Sequence, residues 1–414
     1  MEIPTKTKNN WKRVKISDVA IRLKAGGTPS KANKSYWHNG NIPFAMIEDL
    51  TKCKMYLLDT RLKISKSGLT NSNTWVVPKG HVLISMYATI GKAVINKIET
   101  ATNQAILAIQ TNEKIIPEFL VYSFENEKER LIEQNVQSTQ KNVNKSIVEN
   151  FEIEIPSITE QQAIASILTI TQEAITRQEE LIIKLKELKR STMLFLFTHG
   201  TKGEKTKMTE IGEIPNSWGT VELGKLIMKA QYGLSKKGNN TGTNPILRMT
   251  NQNDGYIALK KLQYVELSSS ELEKFEIQSG DIIFNRTNSI DLVGRTAIYT
   301  HDQKGVVFAS YLIRIRTDEN KLLPDFFNFY MNTEATQRRL KDLATRGVSQ
   351  SNISATRLTT LKIQLPTINE QRKITEALKE VDQKIAVTQE KLLSYQNLFR
   401  TLLHELMSGE RRTS

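Results

Sequence analysis

A ten-residue segment occurs twice in this chain in nearly the same form. The copies read IPSITEQQAI at 155–164 and LPTINEQRKI at 365–374, and their starts lie 210 residues apart in a chain of 414. Weaker matches precede each copy at slightly different offsets, and one of them pairs Trp11 with Trp218. The differing offsets indicate small insertions, which are expected in loops. A period of this length is far above the roughly 20 to 50 residues of solenoid repeats. The sequence therefore predicts a tandem duplication with two homologous halves.

Each copy of the repeated segment lies between a strand and a helix. In each copy a run of alternating apolar and polar residues ends at a proline. A hydroxyl residue and a glutamate then follow three residues apart: Ser157 and Glu160 in the first copy, Thr367 and Glu370 in the second. This pattern is typical of a capping box, in which the hydroxyl accepts from a helix N–H while the glutamate accepts from the cap N–H. The strands are predicted at 151–155 and 361–365.

Each capping box opens a long run with apolar residues spaced three and four apart. Neither run contains proline or glycine before about residue 197 or 407, so the spacing predicts two helices of about 40 residues. Pairing between the two helices explains so long and narrow a stripe, and packing of each on a globular body is the alternative. The predicted pairing residues are Ile164, Leu168, Ile175, Ile182, Leu185, Ile374, Leu378, Val381, Ile385 and Leu392.

The remainder of each half reads as short strands, turns and short helices. We expect strands within 81–88, 281–287 and 311–317, and helices at 117–134 and 324–343, where a proline opens each run. The predicted fold class is α+β: two homologous mixed α/β domains, separated by long helices that pair as an antiparallel coiled coil with pseudo-two-fold symmetry. The predicted segments are a first domain at 1–155, a spacer helix at 156–198, a linker at 199–215, a second domain at 216–365, a second spacer helix at 366–408 and a tail at 409–414.

Charge and composition narrow the classes of function. The formal net charge is +14 and the excess is spread along the chain, which favours an anionic partner such as nucleic acid over a merely basic protein. The sequence contains no run of 18 apolar residues, so no membrane span is predicted. Its N-terminus lacks the apolar region of a signal peptide. The single cysteine, Cys53, cannot form an intrachain disulfide and fits a reducing cytoplasm.

Local signatures of catalysis are missing from the sequence. There is no G-x-x-x-x-G-K-[ST] phosphate loop and no Asn/Asp-Pro-Pro-aromatic motif for holding a flipped base. The five histidines are scattered without metal-ligand spacing. A catalytic triad is assembled in space and can escape such a search. We therefore predict a chain without catalytic residues, bound cofactor or metal.

Two basic bodies joined by long helices suit a reader of a split DNA site, in which protein geometry sets the half-site spacing. Polar loops of the first half carry the side-chain types that contact bases and phosphates. The alternative for 24–40 is a plain turn followed by core aromatics, Tyr36 and Trp37. The predicted DNA contacts of this half are Lys24, Thr28, Lys31, Lys34, Tyr36, Tyr87, Thr89, Lys92, Asn103, Gln104, Thr139, Gln140, Lys141 and Asn142.

The second half offers its own set of polar loops. Arg286 either reads guanine or forms a surface ion pair. Gln350 and Asn352 repeat the residue types of the first half at an offset of 210, which suits phosphate contact or scaffold better than base reading. The Gly-Gly-Thr-Pro turn at 26–29 has no clear counterpart, because AQYGLSKKG stands at 230–238. The predicted DNA contacts are Arg248, Thr250, Asn251, Arg286, Thr287, Asn288, Arg295, Arg346, Ser349, Gln350 and Asn352.

These features together resemble the specificity (S) subunit of type I restriction-modification enzymes. The resemblance is carried by the duplicated (I/L)-P-x-I-x-E-Q segment, the helix after each copy, LFTHGTKGEKTKMTEIGEIPNSW at 196–218, KAGGTPSK at 24–31 and ATNQA at 101–105. It implies two target recognition domains that each read half of a bipartite site in double-stranded DNA. It also implies that the helices set the spacing and dock two modification subunits.

The resemblance assigns the chemistry to partner subunits of a cytoplasmic phage-defence system. Modification subunits would bind S-adenosylmethionine and methylate adenine, and restriction subunits would add ATP- and magnesium-dependent translocation and cleavage. Two other functions stay open from the residues alone. One is a self-sufficient DNA methyltransferase or nuclease with unrecognised motifs, and the other is a coiled-coil scaffold without a DNA role.

Overall fold

The computed structural model describes residues 11–134, 143–347 and 350–412. The chain divides into two compact units. Unit 1 runs to Glu180 and resumes at Gln389, and unit 2 runs from Leu181 to Thr388. Each unit therefore contains one globular body and a part of both long helices. The predicted six-segment division of the chain stays a prediction.

The globular body of unit 1 contains two sheets and a short two-stranded ladder. Its strands are β1 (Lys12–Lys15), β2 (Ala20–Ala25), β3 (Ile42–Ala45), β4 (Tyr56–Leu57), β5 (Leu62–Ile64), β6 (Val76–Val77), β7 (Val82–Ser85), β8 (Ala93–Asn96), β9 (Thr100–Thr102), β10 (Ile106–Thr111) and β11 (Glu152–Ile155). The orders are β2-β10-β7-β8-β4, β5-β3-β9-β6 and β1-β11. Parallel pairing occurs at β3 with β9 and at β4 with β8, whereas the other pairs of this unit's described strands are antiparallel.

Short helices cover these sheets before the first long helix begins. They are α1 (Ile47–Lys52), α2 (Lys66–Thr70), α3 (Pro117–Asn126), α4 (Lys128–Glu133), α5 (Lys145–Asn150) and the long α6 (Ile158–His199), with 3₁₀ turns at Ile16–Val19 and Lys34–Tyr36. Proline opens α3, where its fixed φ suits the first helical turn and its missing N–H is not needed.

The globular body of unit 2 repeats this topology with two added ladders and a difference at one edge of each sheet. Its strands are β12 (Thr206–Thr209), β13 (Gly212–Pro215), β14 (Gly219–Glu222), β15 (Ile227–Tyr232), β16 (Asn244–Leu247), β17 (Gln252–Asn253), β18 (Tyr256–Ile257), β19 (Gln263–Val265), β20 (Ile282–Asn285), β21 (Thr287–Asn288), β22 (Thr296–Ile298), β23 (Val307–Phe308), β24 (Leu312–Thr317), β25 (Thr345–Arg346), β26 (Ser351–Asn352) and β27 (Lys362–Leu365). The orders β15-β24-β20-β22-β18-β17, β19-β16-β23 and β14-β27 follow those of unit 1, except that β17 extends the larger sheet and no described strand of the smaller sheet corresponds to β6. The additions are β21-β26-β25 and a β12-β13 hairpin. That hairpin lies inside the predicted linker, and its Ile214 is fully buried.

The helices of unit 2 complete the repeated pattern. They are α7 (Ser269–Phe275), α8 (Pro324–Met331), α9 (Glu334–Leu343), α10 (Ala355–Thr359) and the long α11 (Ile368–Met407), with 3₁₀ turns at Leu223–Lys225 and Met249–Asn251. The two long helices begin and end within two residues of the bounds that the sequence predicts.

The long helices pair antiparallel within each unit, as predicted. In unit 1 the start of α6 meets the end of α11, and Arg412 Nη1 lies 2.8 Å from Glu160 Oε1. In unit 2 the end of α6 meets the start of α11, and Gln364 Nε2, just before α11, donates to the carbonyl of Phe197 at 2.9 Å. Both contacts run between opposite helix ends, which a parallel pair cannot bring together.

The apolar seams of the helices belong to the core of each unit. In unit 1 the buried cluster combines Ile164, Leu168 and Ile175 with Phe399 and Leu406 from the far end of the chain. In unit 2 the buried cluster combines α6 residues Met193 and Phe197 with α11 residues Ile374 and Leu378. Of the other predicted pairing residues, the structure places Ile385 buried, and Ile182, Leu185, Val381 and Leu392 half-buried.

The hydroxyl half of each predicted capping box is present. Ser157 Oγ accepts from the N–H of Glu160 at 3.3 Å, and Thr367 Oγ1 accepts from the N–H of Glu370 at 3.4 Å. The glutamates bind residues distant in sequence instead of the cap. Glu160 pairs with Arg412, while Glu370 accepts from the Thr201 N–H at 3.0 Å and from the indole of Trp218 at 3.1 Å.

The glutamine of the repeated segment explains why the segment is written twice. Gln161 and Gln371 are fully buried and form equivalent bonds. Gln161 donates to the carbonyls of Lys114 and Pro156 and accepts from the N–H of Ile116 at 2.9 Å. Gln371 does the same with the equivalent residues of its own unit. Each amide therefore fastens a long helix to the residue that precedes α3 or α8.

Candidate nucleic-acid interface

Three strand ends meet at one edge of the larger sheet in unit 1. Ala25 ends β2 opposite Leu107, and Ser85 ends β7 opposite Ile106, the first residue of β10. The loops that leave these ends carry many of the predicted DNA contacts of the first half. We call this surface edge 1 and define it by residues 25–28, 85–92 and 103–106.

Glycine allows two loops of edge 1 to approach each other closely. The N–H of Gly26 donates to Ile106 O at 3.2 Å, and a Cβ at Gly26 would lie 1.9 Å from the carbonyl oxygen of Thr102. Two residues later, Thr28 Oγ1 donates to Gln104 Oε1 at 2.5 Å. The structure therefore brings together the two polar loops that the sequence selected separately.

The other candidates around the glycine turn divide between exposed and packed positions. Lys31 and Lys34 are exposed, and Tyr36 is half-buried. The Trp37 ring packs edge-on against Phe44 with centroids 5.4 Å apart, which fits the core-aromatic alternative for that residue. Lys24 projects its ammonium over the ring of Trp75 at 5.5 Å from the ring centroid.

The loop after β7 presents one exposed aromatic side chain. Tyr87 is 37% exposed, and Ala88 beside it has a φ of +56°, a left-handed conformation that is uncommon for alanine. Thr89 lies 3.4 Å from Thr51 between hydroxyl oxygens. The ammonium of Lys92 donates to the carbonyl of Lys54 at 3.0 Å, and burial lowers the pKa of Lys92.

Asn103 supports a turn at this edge. It is buried, and its Oδ1 accepts from the N–H of Ala105 at 3.2 Å. The N–H of Asn103 donates to the carbonyl of Ala45 at 3.3 Å. Four further predicted contacts lie outside the described residues: Thr139, Gln140, Lys141 and Asn142.

The same backbone pattern recurs in unit 2 and identifies the missing counterpart of the glycine turn. The N–H of Gly233 donates to Leu312 O at 3.2 Å, as Gly26 does to Ile106. A Cβ at Gly233 would lie 2.3 Å from the carbonyl oxygen of Ala309. The offset of 207 between the two glycines equals that between Trp11 and Trp218, and this was the signal in the sequence that could have found Gly233.

The loop after β20 corresponds to the loop after β7. Asn285 N–H donates to Arg295 O at 2.8 Å, as Ser85 donates to Lys92 at 2.9 Å. Two residues of this loop form β21, which pairs with β26, so that Thr287 faces Asn352. We call this surface edge 2 and define it by residues 232–234, 285–295, 309–311 and 351–353.

Arg286 occupies the centre of edge 2. Its guanidinium carbon lies 4.6 Å from the ring centroid of Tyr232, and its Nη1 donates to the carbonyl of Ser310 at 3.4 Å. Its backbone N–H donates to Tyr311 at 3.0 Å, and its carbonyl accepts from Ile353 at 2.9 Å. The side chain therefore contacts two other segments of edge 2, and the backbone bonds to a third at Ile353.

Several other candidates of unit 2 are partly occupied by bonds within the fold. Arg248 donates through Nη2 to the carbonyl of Lys261 at 3.2 Å. Asn251 is buried, accepts from the Arg248 N–H at 2.9 Å and donates to the carbonyl of Ala258 at 3.2 Å. Asn288 accepts from Ser289 N–H at 2.8 Å. The exposed candidates are Thr250, Arg295, Arg346 and Gln350, and Ser349 lies outside the described residues.

Exposed tyrosines mark both edges, and two of them escaped the sequence prediction. Tyr87 belongs to edge 1, whereas Tyr232, 41% exposed, and Tyr311, 47% exposed, belong to edge 2. Tyrosine hydroxyls contact phosphates, and their rings stack on bases. Tyr232 directly precedes Gly233 in the sequence. If Gly233 had been identified as the counterpart of Gly26, Tyr232 would have been a candidate DNA contact.

Buried polar atoms without a hydrogen-bond partner gather near edge 2. Asn285 Oδ1, Arg286 Nε and Asn352 Oδ1 belong to that edge, and Gln252 Oε1 and Arg248 Nε lie on the neighbouring segment 248–252. Buried polar groups are nearly always hydrogen-bonded, so a group of unpartnered atoms is unusual. Except for Asn285, these residues are half-buried, so the group lies near the surface of the unit.

Three further observations bear on other kinds of site. Within the described ranges no group of three or more His, Cys, Asp and Glu side chains comes close enough to hold a metal ion. No helix that the structure describes is long and apolar enough to cross a membrane. Cys53 is a free, half-buried thiol, and burial raises its pKa.

A protein-family model matches this chain twice. The model is described as a type I restriction modification DNA specificity domain, and it matches residues 8–187 and 215–394. The two matches cover most of the chain and correspond to its two halves.

Individual relatives are described as specificity subunits of type I restriction enzymes. The protein assigned as the MjaX type I restriction enzyme specificity subunit of Methanocaldococcus jannaschii is 34% identical over 186 residues, covering 44% of each chain, so this chain spans less than half of that relative's length. The MjaVIII specificity subunit of the same organism is 25% identical over 353 residues, covering 83% of this chain and 82% of the relative. The crystal structure of a type I restriction-modification S subunit from M. genitalium aligns over 98% of both chains with a TM-score of 0.61 and 16% identity, a likeness of fold.

Proposed function

This chain belongs to the type I restriction modification DNA specificity family, and we propose that it reads a bipartite site in double-stranded DNA. Unit 1 would read one half-site through edge 1, and unit 2 the other through edge 2. The observation that carries this proposal is that edge 1 and edge 2 share one pattern of backbone hydrogen bonds, the backbone frame, but carry different side chains. Met86 and Arg286 have equivalent backbone bonds, since the N–H donates to Ala105 or Tyr311 and the carbonyl accepts from Val143 or Ile353. Such a frame suits half-sites of different sequence.

The long helices would set the gap between the half-sites. Helix α6 runs without interruption over Ile158–His199 and contributes residues to both units, and α11 does the same over Ile368–Met407. A continuous helix has a fixed rise of about 1.5 Å per residue, so its length is a geometric constant of the protein. This supports helices that act as a ruler.

Exposed apolar side chains on the helices support docking of two modification subunits. Single exposed apolar residues are ordinary, but several on one helix pair favour a protein contact. In unit 1 the exposed side chains are Ile158, Ile167, Ile170, Leu393 and Leu398, and in unit 2 they are Leu181, Ile183, Leu188, Leu194, Phe195 and Val387.

A charge placed on this surface tests the docking proposal. Ile170→Glu should reduce the amount of modification subunit that co-purifies with the chain, because it would bury a carboxylate in an apolar contact. Gln162→Glu, on an exposed position of the same helix, adds the same charge and should leave assembly unchanged. Equal assembly of the Ile170→Glu variant would count against docking at this position.

We further propose that the chemistry belongs to the partners of this chain. The modification subunits would supply S-adenosylmethionine and methylate adenine, and restriction subunits would supply ATP- and magnesium-dependent translocation and cleavage, in the cytoplasm. The chain itself would contribute DNA sequence recognition and no catalytic residue.

The experiment that tests this function maps DNA methylation in cells that carry the chain with its modification subunit. A methylated motif with two specified halves and a fixed gap is the expected result. Robust methyl transfer from S-adenosylmethionine to DNA by the purified chain alone would favour the self-sufficient enzyme. Affinity for DNA that is weak and independent of salt would favour the scaffold, because contacts with phosphates are sensitive to salt.

A further inference from the structure

We propose that Arg286 reads one guanine in the half-site of unit 2, and that Tyr232 positions its guanidinium. The inference rests on the proposed function and makes it specific at one base pair. It assigns a role to Tyr232, which the sequence prediction did not include. It also predicts an asymmetry, since Met86 occupies the equivalent position in unit 1 and offers no donor.

The surroundings of Arg286 hold the guanidinium without neutralising it. Arg286 forms no ion pair within the described part of the chain, so the surface ion pair that the sequence left open is not formed there. Its partners are the ring of Tyr232 at 4.6 Å and the carbonyl of Ser310 at 3.4 Å. Tyr232 is itself fixed, because its hydroxyl accepts from the N–H of Ala355 at 2.8 Å. A stacked guanidinium keeps its planar set of donors directed at an acceptor in the plane.

The unpartnered atoms around Arg286 favour a base pair over a phosphate. Arg286 Nε is a buried donor without a partner, and Asn352 Oδ1 and Asn285 Oδ1 are buried acceptors without partners. A phosphate presents acceptors alone, so it would leave the oxygen of the half-buried Asn352 without a donor. A G·C pair presents the O6 and N7 acceptors of guanine beside the N4 donor of cytosine in the major groove. A guanidinium beside the segment that carries the Asn352 oxygen therefore offers donors and an acceptor to a G·C edge.

The fold also places Arg286 on a supported element. Its carbonyl bonds to Ile353, and the next two residues form β21 against β26. Side chains on such paired segments keep a defined direction, which base reading requires. Arg295 of the same loop is exposed and has no ring contact among the residues that the structure describes, so we use it as the matched arginine expected to contact phosphate.

The test uses the full chain assembled with its modification subunits. Initial methylation rates are measured on duplexes in which each specified base pair of the wild-type motif is replaced in turn. For Arg286→Lys the preference for guanine at one position of the unit 2 half-site should fall by about 5- to 150-fold, the equivalent of 1–3 kcal/mol. Tyr232→Leu should reduce preference at that same position, and Tyr232→Phe, which keeps the ring, should retain it.

Controls separate readout from a general loss of fold or affinity. Arg295→Ala should slow methylation of all duplexes alike and leave the motif unchanged. The unit 1 half-site should keep its sequence in all four variants. Unchanged guanine preference in Arg286→Lys, or loss of preference spread over both half-sites, would overturn the inference while leaving the proposed function intact. Failure of the wild-type assembly to methylate a bipartite motif would overturn the proposed function and the inference together.

Discussion

Phe399 stands 15 residues before the last residue of the chain, yet its side chain belongs to the core of unit 1. It is 8% exposed, and its ring lies 6.1 Å from the ring of Tyr122 between centroids. Replacing a buried phenylalanine by alanine destabilises a protein by about 3–5 kcal/mol, because apolar contact is lost and a cavity remains. The stability of a domain is about 5–15 kcal/mol, so Phe399→Ala should remove a large part of that of unit 1.

Hydrogen exchange measured by mass spectrometry distinguishes the two units in one experiment. For Phe399→Ala the amides of β10 in unit 1 should exchange faster by roughly two to three and a half orders of magnitude, since about 1.4 kcal/mol is tenfold. The amides of β24 in unit 2 should exchange at the wild-type rate. Leu398→Ala on the neighbouring residue, which is 45% exposed, should change neither.

A reciprocal variant completes the test. Leu378 lies on the same helix but is fully buried in the core of unit 2. Leu378→Ala should therefore accelerate exchange in β24 and spare β10. Faster exchange in β24 for Phe399→Ala, or equal effects of Phe399→Ala and Leu398→Ala, would refute the assignment of the end of α11 to the core of unit 1.

Three further changes have defined outcomes. Gly26→Ala places a Cβ against the Thr102 carbonyl and should destabilise unit 1 by roughly 2 kcal/mol or more in urea titrations, whereas Gly219→Ala, which meets nothing within 4 Å, should change stability little. Burial, with the nearby Glu118 carboxylate, raises the pKa of Tyr56 to about 12 from an ordinary 10.0. The contribution of the neutral Tyr56 to the stability of unit 1 should thus be fully present below pH 10 and be lost as the pH rises to 12, and Tyr56→Phe should remove that loss. One heptad inserted into each long helix adds about 10 Å and should widen the gap between half-sites in the methylated motif, while an unchanged gap would contradict the ruler.

Periodic features of this chain could be predicted because they depend on neighbours in sequence. The apolar spacing predicted both long helices to within two residues, and proline marked the first residue of α3 and α8. The duplication predicted two units of one topology. Antiparallel pairing followed from the same repeat and is present in both units.

The roles of polar side chains were harder to predict, because their hydrogen-bond partners are neighbours in the folded structure and not in the sequence. Asn103, Asn251 and Lys92 looked like DNA contacts in polar loops, yet each is bonded to backbone groups of its own unit. Glu370 looked like a cap and instead binds Trp218, 152 residues away. Gly233 was missed because the residues around it differ from those around Gly26, and its contact with Ala309 shows why the residue must be small.

Independent reading of the two half-sites has one decisive measurement. Residues 219–365, the part of unit 2 from β14 to β27, are replaced by the corresponding part of another family member, and the methylated motif is mapped with the same modification subunits. One half of the motif should change while the other half and the gap stay as they are. Changes in both halves, or a changed gap with an unaltered helix length, would contradict two independent readers held by a common pair of helices.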